Sequence, residues 1–139
     1  MYGSLDVSVS GMVAQRTRLA VISSNVANSN TTLDANGNVN PYQRREIMFA
    51  AGDPSGANPS LGVHVKAIEP NPEAINYRWA PGDPLAYKEG PYKDYVPTPD
   101  ISTTTERINA LSASRAYEAN VAVAETTKDM MAQALRLLG

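Results

Sequence analysis

The sequence predicts a mainly α fold in which long N- and C-terminal helices pack as a coiled-coil-like helical layer, with a small irregular β and loop region between them. Three observations carry that reading. Apolar residues recur at helical spacing from Leu5 to Asn28 and again from Ile101 to Leu138. The second stretch contains neither Gly nor Pro and holds eight alanines. Between the two, six Asn fall between Asn25 and Asn40 and seven of the ten prolines lie between Pro70 and Pro99, a composition that opposes helix. The expected divisions are residues 1–30, 31–99 and 100–139, together one structural unit.

In the first helix Leu5, Val9, Met12, Leu19, Ile22 and Val26 follow three- and four-residue steps, which places them on one face. Val13, Ala20 and Ala27 form a second stripe beside them, making the apolar face wider than a two-stranded coil needs and asking for more than one neighbour. Arg16 falls among these residues. A long side chain snorkelling past its neighbours accounts for it, with an intersubunit ion pair as the sharper alternative.

The middle reads differently. Arg45 to Ala51, then Gly62 to Glu69, where Val63, Val65 and Ala67 alternate with His64 and Lys66, have the period of short strands and suggest a small hairpin. Ala80-Pro81-Gly82-Asp83-Pro84 is turn chemistry, and Lys88 to Pro99 mixes Tyr, Pro and charge without a period, predicting an extended loop or irregular β segment.

The last helix is the clearest element. Leu111, Tyr117, Val121, Ala124, Met131, Leu135 and Leu138 keep the helical step. Asp100, Ser102 and Thr103 to Thr105 offer N-caps after Pro97 and Pro99, and Gly139 supplies a stop. At ~1.5 Å per residue such a helix runs roughly 54 Å, too long to be covered by a globule of 139 residues. Part of its stripe therefore needs partners from outside the molecule.

Composition narrows the function. Twelve Lys and Arg against 14 Asp and Glu leave a net charge of -2, so no basic field recruits nucleic acid or an anionic membrane. The absence of Cys removes disulfides, thiolate catalysis and sulfur-ligated metals. A single histidine, His64, expected as a solvated side chain on a strand surface, cannot build a histidine metal cluster. Met1 to Val13, with Asp6, Ser4, Ser8 and Ser10, lacks the basic start and apolar run of a cleaved signal peptide. No apolar run approaches the ~20 residues of a membrane span.

The remaining motifs are weak. Asp34-Ala35-Asn36-Gly37-Asn38 has the look of a calcium loop, but the Gly is two places early and no Glu follows at the required spacing, which favours a turn. Gly52-Asp53-Pro54-Ser55-Gly56 lacks the Lys and helix of a nucleotide site. Asn30-Thr31-Thr32 fits a glycosylation acceptor by a pattern too short to weigh. Asp83, Glu89, Asp94 and Asp100 are scattered carboxylates rather than an evident acid/base pair. No catalytic, cofactor or metal residue is expected, so function is expected in surfaces.

Two motifs go further: Ser24-Asn25-Val26-Ala27-Asn28 closing the first helix, and Ser112-Ala113-Ser114-Arg115-Ala116-Tyr117-Glu118-Ala119-Asn120-Val121 within the last. Both resemble the flagellar axial protein family of rod and hook subunits, and the resemblance spans nearly the whole chain. The length and the Pro81-Gly82-Asp83-Pro84 turn match its short members; Ile75 to Tyr95 and Thr103-Thr104-Thr105 depart from the usual wording. The resemblance implies a structural subunit of the proximal rod of the bacterial flagellar basal body, exported through the type III apparatus with no cleaved signal and polymerised helically in the periplasm. Its partners would be copies of itself and other flagellar rod proteins, with no small-molecule substrate. The expected subunit-packing residues are Leu5, Val9, Met12, Leu19, Asn25, Val26, Asn28, Leu111, Arg115, Tyr117, Glu118, Asn120, Val121, Met131, Leu135 and Leu138. Among them, Arg115 and Glu118 are spaced to pair, and Asn25 and Asn28 to cap the helix end. The rivals are another short axial subunit, a non-polymerising helical adaptor and, more remotely, a hydrolase of cell-wall glycan.

Overall fold

The chain, described here by a computed structural model over residues 2–52 and 62–138, runs α1 (Tyr2–Ala27), β1 (Arg45–Ala51), β2 (Val63–Pro70), β3 (Ile75–Trp79), β4 (Tyr95–Pro99) and α2 (Thr103–Leu138). β1 pairs with β2 and β3 with β4, as two separate two-stranded sheets. The fold is therefore not mainly α with an irregular middle: among the described residues 48% are helical and 21% strand, with two small antiparallel sheets between the helices. The sheet that sequence reading missed contains Pro97 and Pro99. In a sheet of two strands every strand is an edge, where a missing N–H costs no ladder bond. β4, in a stretch expected as an extended loop or irregular β segment, thus pairs regularly in the register Ile75↔Pro99, Tyr77↔Pro97 and Trp79↔Tyr95.

The helices lie close to the expected bounds. α2 is capped by Ser102, whose Oγ accepts the Thr105 N–H at 3.3 Å. At the end of α1, Asn28 Nδ2 donates to the Ser24 carbonyl at 2.9 Å, taking up one of the carbonyls that a helix end leaves unpaired.

The chain divides into two compact units, one built from residues 1–20, 47–68 and 108–139 and the other from 21–46 and 69–107. In the first, the buried positions are small: Ser8, Ser10 and Ala14 of α1, and Ala113 and Ala124 of α2. Buried hydroxyls inside a helix need local acceptors. Ser8 donates to the Ser4 carbonyl at 3.1 Å, and Ser10 donates to the Val7 carbonyl at 2.8 Å while accepting the Val63 N–H at 3.1 Å. That last bond ties α1 to the start of β2. A side chain at Gly62, whose φ is +87°, would both strain the backbone and collide with the Ser10 hydroxyl.

Where α1 and α2 meet in this unit, Gly11 faces Asn120 so closely that a Cβ at Gly11 would stand 2.8 Å from Asn120 Nδ2. Asn120 is held in place by donating to the Ala116 carbonyl at 2.9 Å. The approach is made by small residues rather than by the large knobs of a coiled coil, which corrects the coiled-coil-like expectation. His64 is likewise not freely solvated: it is half-buried, with Nδ1 2.6 Å from the Gly52 carbonyl.

In the second unit Val21, Ile22, Ala74 and Val96 form the apolar core. Tyr77 stacks on Tyr92 with ring centroids 4.0 Å apart and planes 6° from parallel. The segment resembling a calcium loop is a tight turn, in which Asp34 Oδ1 accepts the N–H groups of Asn36 and Asn38, each at 2.9 Å. The Asn38 N–H leads the causes that hold this carboxyl below its ordinary value of 3.8.

Two outcomes follow from these contacts. Gly11→Ala gains about 1 kcal/mol of helix propensity, but only when Asn120 is also Ala; in the wild-type background the clash consumes the gain. A double-mutant cycle by chemical denaturation measures the coupling, and additive effects refute the close approach. For Asp34, NMR titration is expected to find its carboxyl below 3.8. A depressed carboxylate stabilises the turn above the unfolded value, and that contribution is lost as pH falls through the folded one. Titration at or above 3.8 refutes the bonding.

Candidate assembly site

The most organised polar feature lies in the second unit and centres on Asn25, which is 1% exposed. Its carboxamide oxygen accepts the Arg45 N–H at 2.9 Å and the Tyr42 hydroxyl at 3.1 Å. Its Nδ2 donates to the Arg45 carbonyl at 2.9 Å and to Glu106 Oε2 at 3.4 Å. The side chain thus pairs with both backbone groups of the residue that begins β1, as a neighbouring strand would, and all its hydrogen-bonding capacity is used.

Glu106, one turn into α2 and 2% exposed, completes the cluster. Its other oxygen accepts Arg44 Nε at 3.1 Å, an ion pair with a buried acceptor. Arg44 also reaches Glu46 Oε1 at 3.4 Å, and Asn71 Nδ2 donates to the same oxygen at 3.1 Å. Ser24 Oγ and the Tyr42 hydroxyl lie 3.1 Å apart, and the Arg45 guanidinium stands 5.9 Å from the Tyr42 ring centre. The end of α1, the segment before β1 and the start of α2 are therefore fastened by one clamp.

This arrangement fastens backbone segments together through side chains whose polar atoms are engaged with one another. Both Glu106 oxygens are engaged. Asp100 Oδ1 accepts Asn76 Nδ2 at 2.9 Å, and Asp83 accepts Arg78 Nη2 at 3.2 Å and the Leu85 N–H at 3.0 Å. Carboxylates committed in this way are poorly placed to exchange protons with a substrate.

The second feature is the outward surface of the helices. On α1 the exposed row is Val9, Val13, Arg16, Ala20, Ser23 and Ala27, which follow one another at helical spacing. On α2 the large apolar residues Ile108, Leu111, Val123, Met130 and Leu137 are all more than half exposed, Leu137 by 87%. Hence these large residues point away from the interior of the helices, while in the first unit Ala, Ser and Gly line the inside.

The expected packing residues divide accordingly. Asn25 belongs to the clamp and Asn28 caps α1. Leu5, Met12, Leu19, Val26, Asn120, Val121 and Met131 are half-buried; Val9, Leu111, Arg115, Tyr117, Glu118 and Leu135 are exposed; and the Leu138 side chain lies outside the described residues. Arg115 and Glu118 form no ion pair among the described residues; Glu118 accepts Ser114 Oγ at 3.5 Å. Leu111, read with the main stripe of α2, is about half a turn from Asn120. Sequence reading missed Tyr42, Arg44, Arg45 and Glu106 as partners of Asn25. Only Glu106 carried a signal, being a carboxylate in helical phase with Ala113, Tyr117 and Ala124.

Comparison with known proteins matches residues 5–32 to the family described as flagella basal body rod protein, and residues 94–137 to the flagellar basal body rod FlgEFG protein C-terminal family. The chain is 34% identical to the flagellar basal-body rod protein FlgC of Borreliella burgdorferi, over 99% of this chain and 97% of that protein. It is 36% identical to FlgC of Yersinia enterocolitica over 95% and 93% of the two chains, and 34% identical to FlgC of Bacillus subtilis over 98% and 97%.

Replacing Asn25 by Ala strands the Arg45 backbone groups and one Glu106 oxygen, and is expected to cost about 3 kcal/mol of stability. Asn25→Asp sets a second carboxylate against Glu106 and removes both Nδ2 donors, so its penalty at pH 7 is larger than that of Ala. Urea denaturation at pH 7 checks both; an Ala variant within a few tenths of a kcal/mol of wild type removes the clamp from the stability account.

Proposed function

This chain belongs to the FlgC family of flagellar basal-body rod proteins, and on that premise we propose how it does its work. It is a structural subunit of the rod of the flagellar basal body. In the finer reading it occupies the proximal rod, polymerises helically with copies of itself and related rod proteins, and helps form both drive shaft and export channel. Export through the flagellar type III apparatus without a cleaved signal, assembly in the periplasm and a structural rather than catalytic role belong to the same reading.

The observation that carries it is the distribution of side-chain size. A chain with a self-sufficient core puts its Leu, Ile and Met inside. Here Ile108, Leu111, Met130, Leu135 and Leu137 of α2 face outward, and the buried positions of the same helix include Ala113 and Ala124. Such a helix gains most by burying its outer face against other subunits, at roughly 25 cal/mol for each Å² removed from water. Subunits that join by unlike surfaces extend as an open helix whenever the rotation does not close.

Removing the gene from the bacterium that carries it is expected to abolish swimming and leave basal bodies with incomplete rods, and returning the intact chain is expected to restore both. Electron microscopy of isolated basal bodies reads the outcome. Complete rods in the deletion strain would overturn the assignment.

A further inference from the structure

Within the first unit the exposed row of α1 and the line through Leu111 on α2 lie on opposite sides of the helix pair. Gly11 and Ala20 are nine residues apart, as are Leu111 and Asn120, and nine residues on a helix is a half-turn offset. Because Gly11 meets Asn120, the rows containing Ala20 and Leu111 both turn away from that contact. One molecule therefore cannot close these surfaces on each other; the row of one copy is free only for the opposite row of another.

Their chemistry is unlike and matched. The α1 row has three small apolar residues, Val9, Val13 and Ala20, around one cation, Arg16, with Asp6 one step before Val9, all exposed. On α2 an apolar row through Ile108, Val123, Met130 and Leu137 runs along the flank, about a quarter turn from the Asn120 contact. Beside it run Glu118, Glu125 and Asp129, also exposed, on the same line as Leu111 and Ala122. Arg115 lies on that line too, and Arg107 and Arg136 bound it at either end, so the acidic stretch is its middle. Among the described residues neither Arg16 nor any of these three carboxylates is in an ion pair.

We propose that the outer face of α1 docks on the outer face of α2 of a second copy of this chain, with Val9, Val13 and Ala20 against the apolar row and Arg16 against Glu118, Glu125 and Asp129. The proposal rests on the rod reading and specifies which surfaces meet. Small residues on one side let the larger side chains of the other approach closely, and the charges fix register and exclude like pairing. Joining unlike faces makes the contact head-to-tail, and it extends as an open helix where the rotation between copies does not close.

The test uses the deletion strain. Arg16→Glu is expected to reduce complete rods about tenfold or more, because reversal sets a fourth carboxylate against three. Adding E118K, E125K and D129K to that variant is expected to recover rods, and no recovery by the fourfold variant counts against the pairing. Rods at wild-type number with Arg16→Glu alone overturn the proposal while leaving the rod assignment intact; failure of the unaltered chain to restore rods overturns the assignment itself. A photoreactive residue at position 13 supplies a measurement independent of folding changes. Cross-links joining two copies through residues 108–137 support the contact, and cross-links only to a different protein or to another segment refute it.

Discussion

The Asn25 carboxamide sits among groups that could each satisfy it singly, yet it bonds all of them at once: both backbone groups of Arg45, the Tyr42 hydroxyl and the Glu106 carboxylate. Buried polar groups are costly when any partner is missing and directional when none is. This side chain therefore determines where β1 begins, since the residue whose N–H and C=O it engages is fixed in register. Glu106 and Arg44 carry the same fixing to the start of α2. An apolar cluster of similar volume could stabilise the second unit as well, but it would tolerate a shift by one residue, which turns every strand side chain to the opposite face.

The remainder of the molecule is built on small residues. Ser8, Ser10, Gly11 and Ala14 on α1 and Ala113 and Ala124 on α2 line the first unit. Helices lined this way approach closely and gain contact at short range, but each residue removes little apolar area from water. The large side chains stay outside. A lightly filled interior and a large apolar outer surface are thus two results of one allocation, and the hydroxyls of Ser8 and Ser10 are tolerated inside because helix carbonyls satisfy them.

Helix and strand periods were legible where local sequence decides structure. β1 spans the predicted Arg45 to Ala51, and α2 begins two residues after the expected start because Ser102 caps it. β3 was not legible, and over β4 the sequence left extended loop and irregular β segment open, because Pro97 and Pro99 break any local period and only pairing with Ile75 to Trp79 makes the segment a regular strand. The Ser24 to Asn28 motif marked Asn25 as important, but its partners lie 17 to 81 residues away along the chain. Periodicity carries no information at that range. It also located apolar rows without stating which faced inward, and on α1 Val9 and Val13 proved exposed while Ser8 and Ser10 are buried.

That inversion follows from how a helix face is judged. A row of Val and Ala reads as core because burial against the same chain is the common case, yet periodicity identifies only a surface that is better covered than wet. In a chain whose apolar rows exceed what one small unit can enclose, some rows are left for neighbours. Size settles which ones. A contact made within the chain has one geometry and can be tightened with Gly and Ser, as at Gly11 and Ser10, whereas a contact made on assembly must offset the lost freedom of two bodies and benefits from large side chains. On the proposed reading, exposed Leu137, Met130 and Ile108 are kept for the assembly for the same reason that Ala113, Ala124 and Gly11 are used within the subunit.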